Sequence, residues 1–110
     1  MTRRVYVIEL SDALGGHKPN RPNVYVGETG LTPEQRFEKH KAGGMTASPK
    51  VTKHGVRLRP DLYEHLPLYA TEAESVKAEG LLRTKLERLG YRVWGGTRGM
   101  NQAFNPNLGT

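Results

Sequence analysis

The chain has 110 residues, enough for one domain with a modest core and too few for two. It has no cysteine, which excludes disulfides and thiolate metal sites and accords with a reducing cytoplasm, the compartment expected here. Seventeen Lys and Arg against eleven Asp and Glu leave a net charge of +6, which suits a polyanionic partner. The apolar run nearest the start, residues 5–10, is too short for a leader core and is interrupted by Glu9. No run is long enough to span a bilayer, so no membrane partner is expected.

In chain order, "RVYVIEL" (4–10) is rich in β-branched and aromatic residues and predicts a strand. Residues 11–23 are dense in Gly, Pro and Asn and read as loop. "VYVGE" (24–28) predicts a second strand, paired with the first as an antiparallel hairpin across a long connection. A helix follows, with Thr32 as N-cap, Pro33 at its first position, Gln35 completing a capping box and Gly43 as its stop. Phe37 should face the core, while Arg36 and His40 share another face.

Residues 45–60 show no clear period and are expected to run over the surface. Between Glu38 and Asp61 there is no acidic residue, while Lys39, Lys41, Lys50, Lys53, Arg57 and Arg59 supply six positive charges. That stretch therefore holds the whole excess of the chain and is expected to contact nucleic-acid phosphates. Residues 61–69 ("DLYEHLPLY") partly alternate and predict a third strand, which Pro67 confines to an edge or ends early. Thr71 and Glu74 form a second capping box that opens a helix running to Gly90. Ser75, Ala78, Leu82, Leu86 and Leu89 make its main buried stripe, with Glu79 beside it. Val76, Gly80 and Leu81 suggest cover on a second side. "YRVW" (91–94) is a candidate for one more short strand, and the Gly/Asn-rich tail, 95–110, carries almost no structural signal. The fold class expected is α/β (α+β), a small, mainly antiparallel three-stranded sheet flanked by helices. It forms one domain over 1–110, with its core at about 4–93.

Four features then line up: Tyr6 in the first strand, Tyr25-Val26-Gly27 in the second, the Arg36/His40 pair, and Glu79. In this order they resemble the GIY-YIG nuclease family. "RVY" (4–6) stands for Gly-Ile-Tyr, "YVG" (25–27) for Tyr-Ile-Gly, and "RFEKH" (36–40) for the R-x-x-x-H helix. "TEAESVKAE" (71–79) is similar to the family's E-A-E-x-x-x-x-E helix, above all in the version found in nucleotide-excision-repair incision subunits. The chain departs from the pattern in four places. Arg4 and Val5 replace Gly-Ile, the hairpin connection is longer than usual, and Glu28 stands where many members have lysine. The asparagine that usually follows the last helix, often directly after a tyrosine, is absent: Tyr91 is followed by Arg92, with Asn101 as a substitute if the tail folds back.

The resemblance implies a divalent-metal-dependent endonuclease acting on DNA, with RNA as an alternative substrate. Glu79 would hold one Mg²⁺ or Mn²⁺ that keeps most of its waters. Arg36 would stabilise charge on the phosphate with its planar fork of donors. Tyr6 would either accept a proton or order the attacking water, with Tyr25 and His40 orienting that water or relaying the proton. Gly27 belongs to the structural motif. The chain has no room for an added specificity domain, which points to a second copy or a partner protein for targeting. The alternative reading is a catalytically inactive nucleic-acid-binding module of the same fold. His17, His54 and His65 lack metal-ligand spacing, and "WGGTRG" (94–99) lacks a full phosphate-loop signature. Trp94 reads first as a core or tail-docking residue and second as a base-stacking one.

Overall fold

β-branched and aromatic residues dominate the first two strands, β1 (Arg4–Leu10) and β2 (Val24–Thr29), which pair antiparallel at the centre of the sheet. The computed structural model describes residues 2–95. Two further strands flank this hairpin: β3 (Gly55–Leu58) antiparallel to β1, and β4 (Val93–Gly95) parallel to β2. The order is β3-β1-β2-β4, a mixed sheet of four strands rather than the expected three. Three helices pack around it: α1 (Pro33–Ala42), α2 (Pro49–His54) and α3 (Glu72–Arg88). Val5, Tyr6, Val7 and Ile8 are consecutive and all buried, so both faces of the sheet are covered.

The register decides which side chains meet. Tyr6 lies opposite Gly27 and Ile8 opposite Tyr25, so these four share one face of the sheet. Val5, Val7 and Glu9 share the other face with Glu28, Val26 and Val24.

The third strand is not where the alternation of residues 61–69 put it. That stretch opens with a 3₁₀ turn at Pro60–Leu62 and continues as irregular chain. Tyr63 is buried, and Leu62, Leu66 and Tyr69 pack against the core from this coil. Only Tyr69 pairs with a neighbouring segment, exchanging two 2.8 Å backbone hydrogen bonds with Arg3. The actual edge strand, β3, lies inside the stretch that showed no period. Its Val56 and Arg57 are exposed, so burial left no alternation to detect.

Both capping boxes form. The Gln35 N–H donates to Thr32 Oγ1 at 3.1 Å and the Thr32 N–H to Gln35 Oε1 at 3.0 Å. Thr71 and Glu74 repeat the exchange at 3.1 and 3.2 Å. Each cap contributes about 1 kcal/mol. Helix α3 ends at Arg88, two residues before Gly90, whose φ of 100° turns the chain out of the helix. Ser75, Leu82 and Leu86 are buried as expected, but Leu89, past the last turn, is 50 % exposed. Leu81 is 65 % exposed and Gly80 is exposed too, while Val76 is half-buried, so among the described residues that second side is covered only at Val76. Lone apolar residues on an outer helix face are ordinary.

Glu28, which stands where the family often has lysine, anchors the fold. It accepts two hydrogen bonds from Arg3, at 2.8 and 3.0 Å, and one from the Ser75 hydroxyl at 2.7 Å. This ties the start of β1 and the first turn of α3 to β2. Among the described residues no helix is long and apolar enough to cross a membrane.

Candidate active site

Gly27 is the floor of the site. A Cβ built there would sit 2.5 Å from the Tyr6 hydroxyl oxygen and 2.7 Å from its Cζ, so the Tyr6 ring lies directly over the β2 backbone. Only glycine permits that approach. The hydroxyl so placed lies 2.9 Å from Nε2 of His40 on α1. The His40 and Tyr25 rings meet edge to face at 5.4 Å between centroids, and Tyr6 and Tyr25 lie 6.4 Å apart.

The hydrogen bonds of His40 fix its tautomer. Its Nδ1 accepts from the backbone N–H of Ser48 at 2.9 Å, which leaves the ring proton on Nε2. Nε2–H therefore donates to the Tyr6 oxygen, and the phenol proton points elsewhere. His40 is fully buried, and its carbonyl accepts from the Thr52 hydroxyl. Burial, reinforced by the nearby Arg36 charge, pushes its pKa down to about 4. The ring is therefore neutral at physiological pH.

This shift has a measurable consequence. The unfolded chain takes up the proton near 6.5 and the folded chain only near 4. The stabilisation from neutral His40 is therefore complete above pH 6.5 and is lost as pH falls toward 4, by about 3 kcal/mol in all. Urea unfolding at pH 7 and pH 4.5 should register that loss in the wild type and a smaller loss in His40→Gln. Nitrogen NMR of the imidazole should find the Nε2–H tautomer; the Nδ1–H tautomer would contradict the assignment.

Both tyrosines are pushed up, chiefly by burial. For Tyr6 the neighbouring Tyr25 and Glu79 add to the rise, while the Arg36 guanidinium opposes it by charge and by hydrogen bonding. For Tyr25 a hydrogen bond with the Ser48 side chain and the Arg36 charge oppose the rise, and Glu79 adds to it. Arg36 and Glu79 thus act on the two phenols with opposite charges. Arg36 is itself steadied by donating to the Thr46 carbonyl at 2.7 Å. Tyr6, Tyr25, Arg36, His40 and Glu79 are brought together from β1, β2, α1 and α3.

Glu79 is 1 % exposed and supplies a hard carboxylate beside two phenol oxygens. Among the described residues no three His, Cys, Asp or Glu side chains gather as a metal-binding group. A metal here would be held by one protein carboxylate, with water and ligand oxygens completing the shell. Mg²⁺ and Mn²⁺ fit that donor set, and metals preferring several nitrogen or sulfur ligands do not.

The six cations of the basic stretch do not form one track. Lys39 and Lys53 are exposed. Lys41 donates to the Thr52 and Gly55 carbonyls at 3.3 and 2.9 Å, closing the end of α2. Arg59 grips Asp61 through two hydrogen bonds, at 3.0 and 2.9 Å, and reaches Glu9 at 3.2 Å. Arg57 meets the same Glu9 at 3.1 Å. Glu9 and Arg57 are register partners on the sheet face opposite Tyr6, where they line a cavity of about 430 Å³ under the long β1–β2 connection. Lys50 alone of the six packs on an aromatic ring, that of Trp94, with Nζ 3.9 Å from the centroid.

Sequence reasoning missed Ser48 and Thr52. Ser48 stands at the N-cap of α2 but makes no capping bond; its hydroxyl engages Tyr25 and its N–H fixes His40. The Ser-Pro step before α2 was the available signal for a helix start there. Asn101 lies outside the described residues. In comparisons with protein-family models, curated proteins and solved structures, nothing matches the chain.

Proposed function

We propose that this chain is a divalent-metal-dependent endonuclease of the GIY-YIG type, hydrolysing phosphodiester bonds in DNA. What carries the reading is the meeting of Tyr6, Tyr25, His40, Arg36 and Glu79 over the one glycine that lets Tyr6 reach His40. Phosphodiester hydrolysis needs a positioned water, neutralisation of charge on the phosphoryl oxygens and help for the leaving oxygen. A divalent ion at Glu79 would supply a Lewis acid for the phosphate and offset the negative charge that now raises both phenols. Arg36 contributes a fork of donors and a fixed positive charge beside Tyr6.

The hydrogen bond from His40 narrows the choice of roles. His40 donates to the Tyr6 oxygen and so does not take its proton. Its donated hydrogen bond and the Arg36 charge both favour negative charge at the Tyr6 oxygen, against the effect of burial. Burial keeps Tyr6 protonated, so its oxygen would order the attacking water rather than take its proton, and Tyr25, tethered by Ser48, would orient the same water. Cations on phosphates carry no base readout, so sequence choice would fall to a second copy or a targeting protein.

The test is cleavage of supercoiled plasmid, branched and single-stranded DNA by pure protein with Mg²⁺ or Mn²⁺, against EDTA controls. Nicking that requires the metal is the expected result. Binding without cleavage under any metal would replace this reading with the inactive binding module, and no binding at low salt would remove both.

A further inference from the structure

Trp94 in β4 is the register partner of Tyr25, so it stands on the same face of the sheet as the tyrosine pair, one strand further out. Two cations are held against its ring. Lys50 Nζ, from α2, is 3.9 Å from the ring centroid, and the guanidinium carbon of Arg92, two residues upstream, is 4.9 Å from it. Both distances are within cation–π range. The two charges are therefore no farther apart than the sum of those distances.

What sets these two cations apart is the ring they share. Arg3, Arg57 and Arg59 each pair with a carboxylate, whereas neither Lys50 nor Arg92 has one among the described residues. The indole Nε1 is enclosed and has no hydrogen-bond partner among the described residues, so no polar contact of its own fixes the ring. Packing and the two cations account for its position. Two cations on one ring, near the tyrosine pair and with no carboxylate on either among the described residues, would attract an anion; Arg92 otherwise reaches only the Gly15 carbonyl, at 3.5 Å. A nucleic-acid backbone supplies such anions at regular spacing, and basic grooves with aromatic side chains are how single strands are tracked.

We infer that Lys50 and Arg92, stapled to Trp94, form a phosphate clamp on β4 that grips the cleaved strand where it leaves the tyrosine pair. The inference rests on the nuclease reading of the site and adds to it the path of the substrate. Lys50 and Arg92 contact phosphate, while Trp94 is a positioning residue that keeps them together.

Trp94 is the only tryptophan in the chain, so its emission reports on this one place. A short single-stranded oligonucleotide, titrated in EDTA to prevent cleavage, should change that emission in step with binding measured by anisotropy of a labelled strand. In Lys50→Gln/Arg92→Gln the slope of log K against log salt should flatten by about 1.4, two phosphates at about 0.7 each for a single strand. Trp94→Phe, which keeps a ring for the cations, should retain most of the wild-type slope. Trp94→Ala should flatten it although both cations remain, with circular dichroism checking that the variant is folded. Binding with an unchanged slope in the double variant overturns the clamp and leaves the nuclease reading standing. Absence of binding even at low salt overturns both.

Discussion

Glu79→Gln should reduce metal-dependent cleavage by about 10²–10³-fold while DNA binding in EDTA stays within a few-fold of wild type. Glutamine matches the shape of the buried side chain but is a poor ligand for a hard cation. It also removes the negative charge that raises both Tyr6 and Tyr25. If Glu79 only packed α3 against the sheet, the substitution would move stability more than rate. Arg36→Ala should cost a similar factor, and Arg36→Lys should recover only part of it, because a point charge replaces a planar fork. The readouts are the nicking rate at saturating Mg²⁺ and thermal unfolding of each variant. Glu79→Gln cleaving at the wild-type rate would end the metal assignment.

The second large effect is expected from a substitution that changes no charge. Gly27→Ala adds one methyl group, at a point 2.5 Å from the Tyr6 hydroxyl. The β2 backbone cannot yield, since Val24, Val26 and Tyr25 are buried on either side, so the Tyr6 ring must move. Overpacking of this kind costs about 1–3 kcal/mol. The 2.9 Å contact with His40 would break, and a displacement near 1 Å at a reacting group costs about 10²-fold in rate. Cleavage should therefore fall about 10²-fold, and the variant's His40 should titrate closer to its ordinary value by NMR. A Gly27→Ala protein with unchanged activity and an unchanged His40 pKa would show that the ring is not held as described.

The elements that could be read in the sequence were those announced by local chemistry. Thr32 and Gln35, and likewise Thr71 and Glu74, satisfy orphan donors within one turn of chain, so the residues alone predict both helix starts. β1 and β2 carry enough β-branched and aromatic residues to be recognised without their partners. α2 and β3 were invisible because they span six and four residues, too few for a period to emerge. Residues 61–69 misled for the opposite reason. Tyr63 and Leu66 reach the core from an irregular chain, and apolar spacing cannot separate that from a strand.

The site divides in the same way. The residue types and their order named Tyr6, Tyr25, Arg36, His40 and Glu79 as a set, since an arginine and a histidine one helical turn apart mean little alone and gain meaning only with the tyrosines before them and the glutamate after. Their partnerships, however, arise from segments distant in sequence. Ser48 reaches His40 and Tyr25 only because α2 folds back under α1. Glu28 becomes a structural anchor because Arg3 and Ser75 arrive from opposite ends of the chain. Charge was the least legible property. The basic stretch was correctly seen as the whole excess, but whether each cation is free depends on carboxylates and carbonyls that composition does not locate. Arg57 and Arg59 pair with Glu9 on the far face of the sheet, and Lys41 is occupied by the end of α2. Lys50 meets Arg92 across Trp94, forty and more residues away. Local backbone chemistry was thus set by the sequence itself. Tertiary structure alone decided which charges remain available to a ligand, because pairing depends on distance in space and not on separation along the chain.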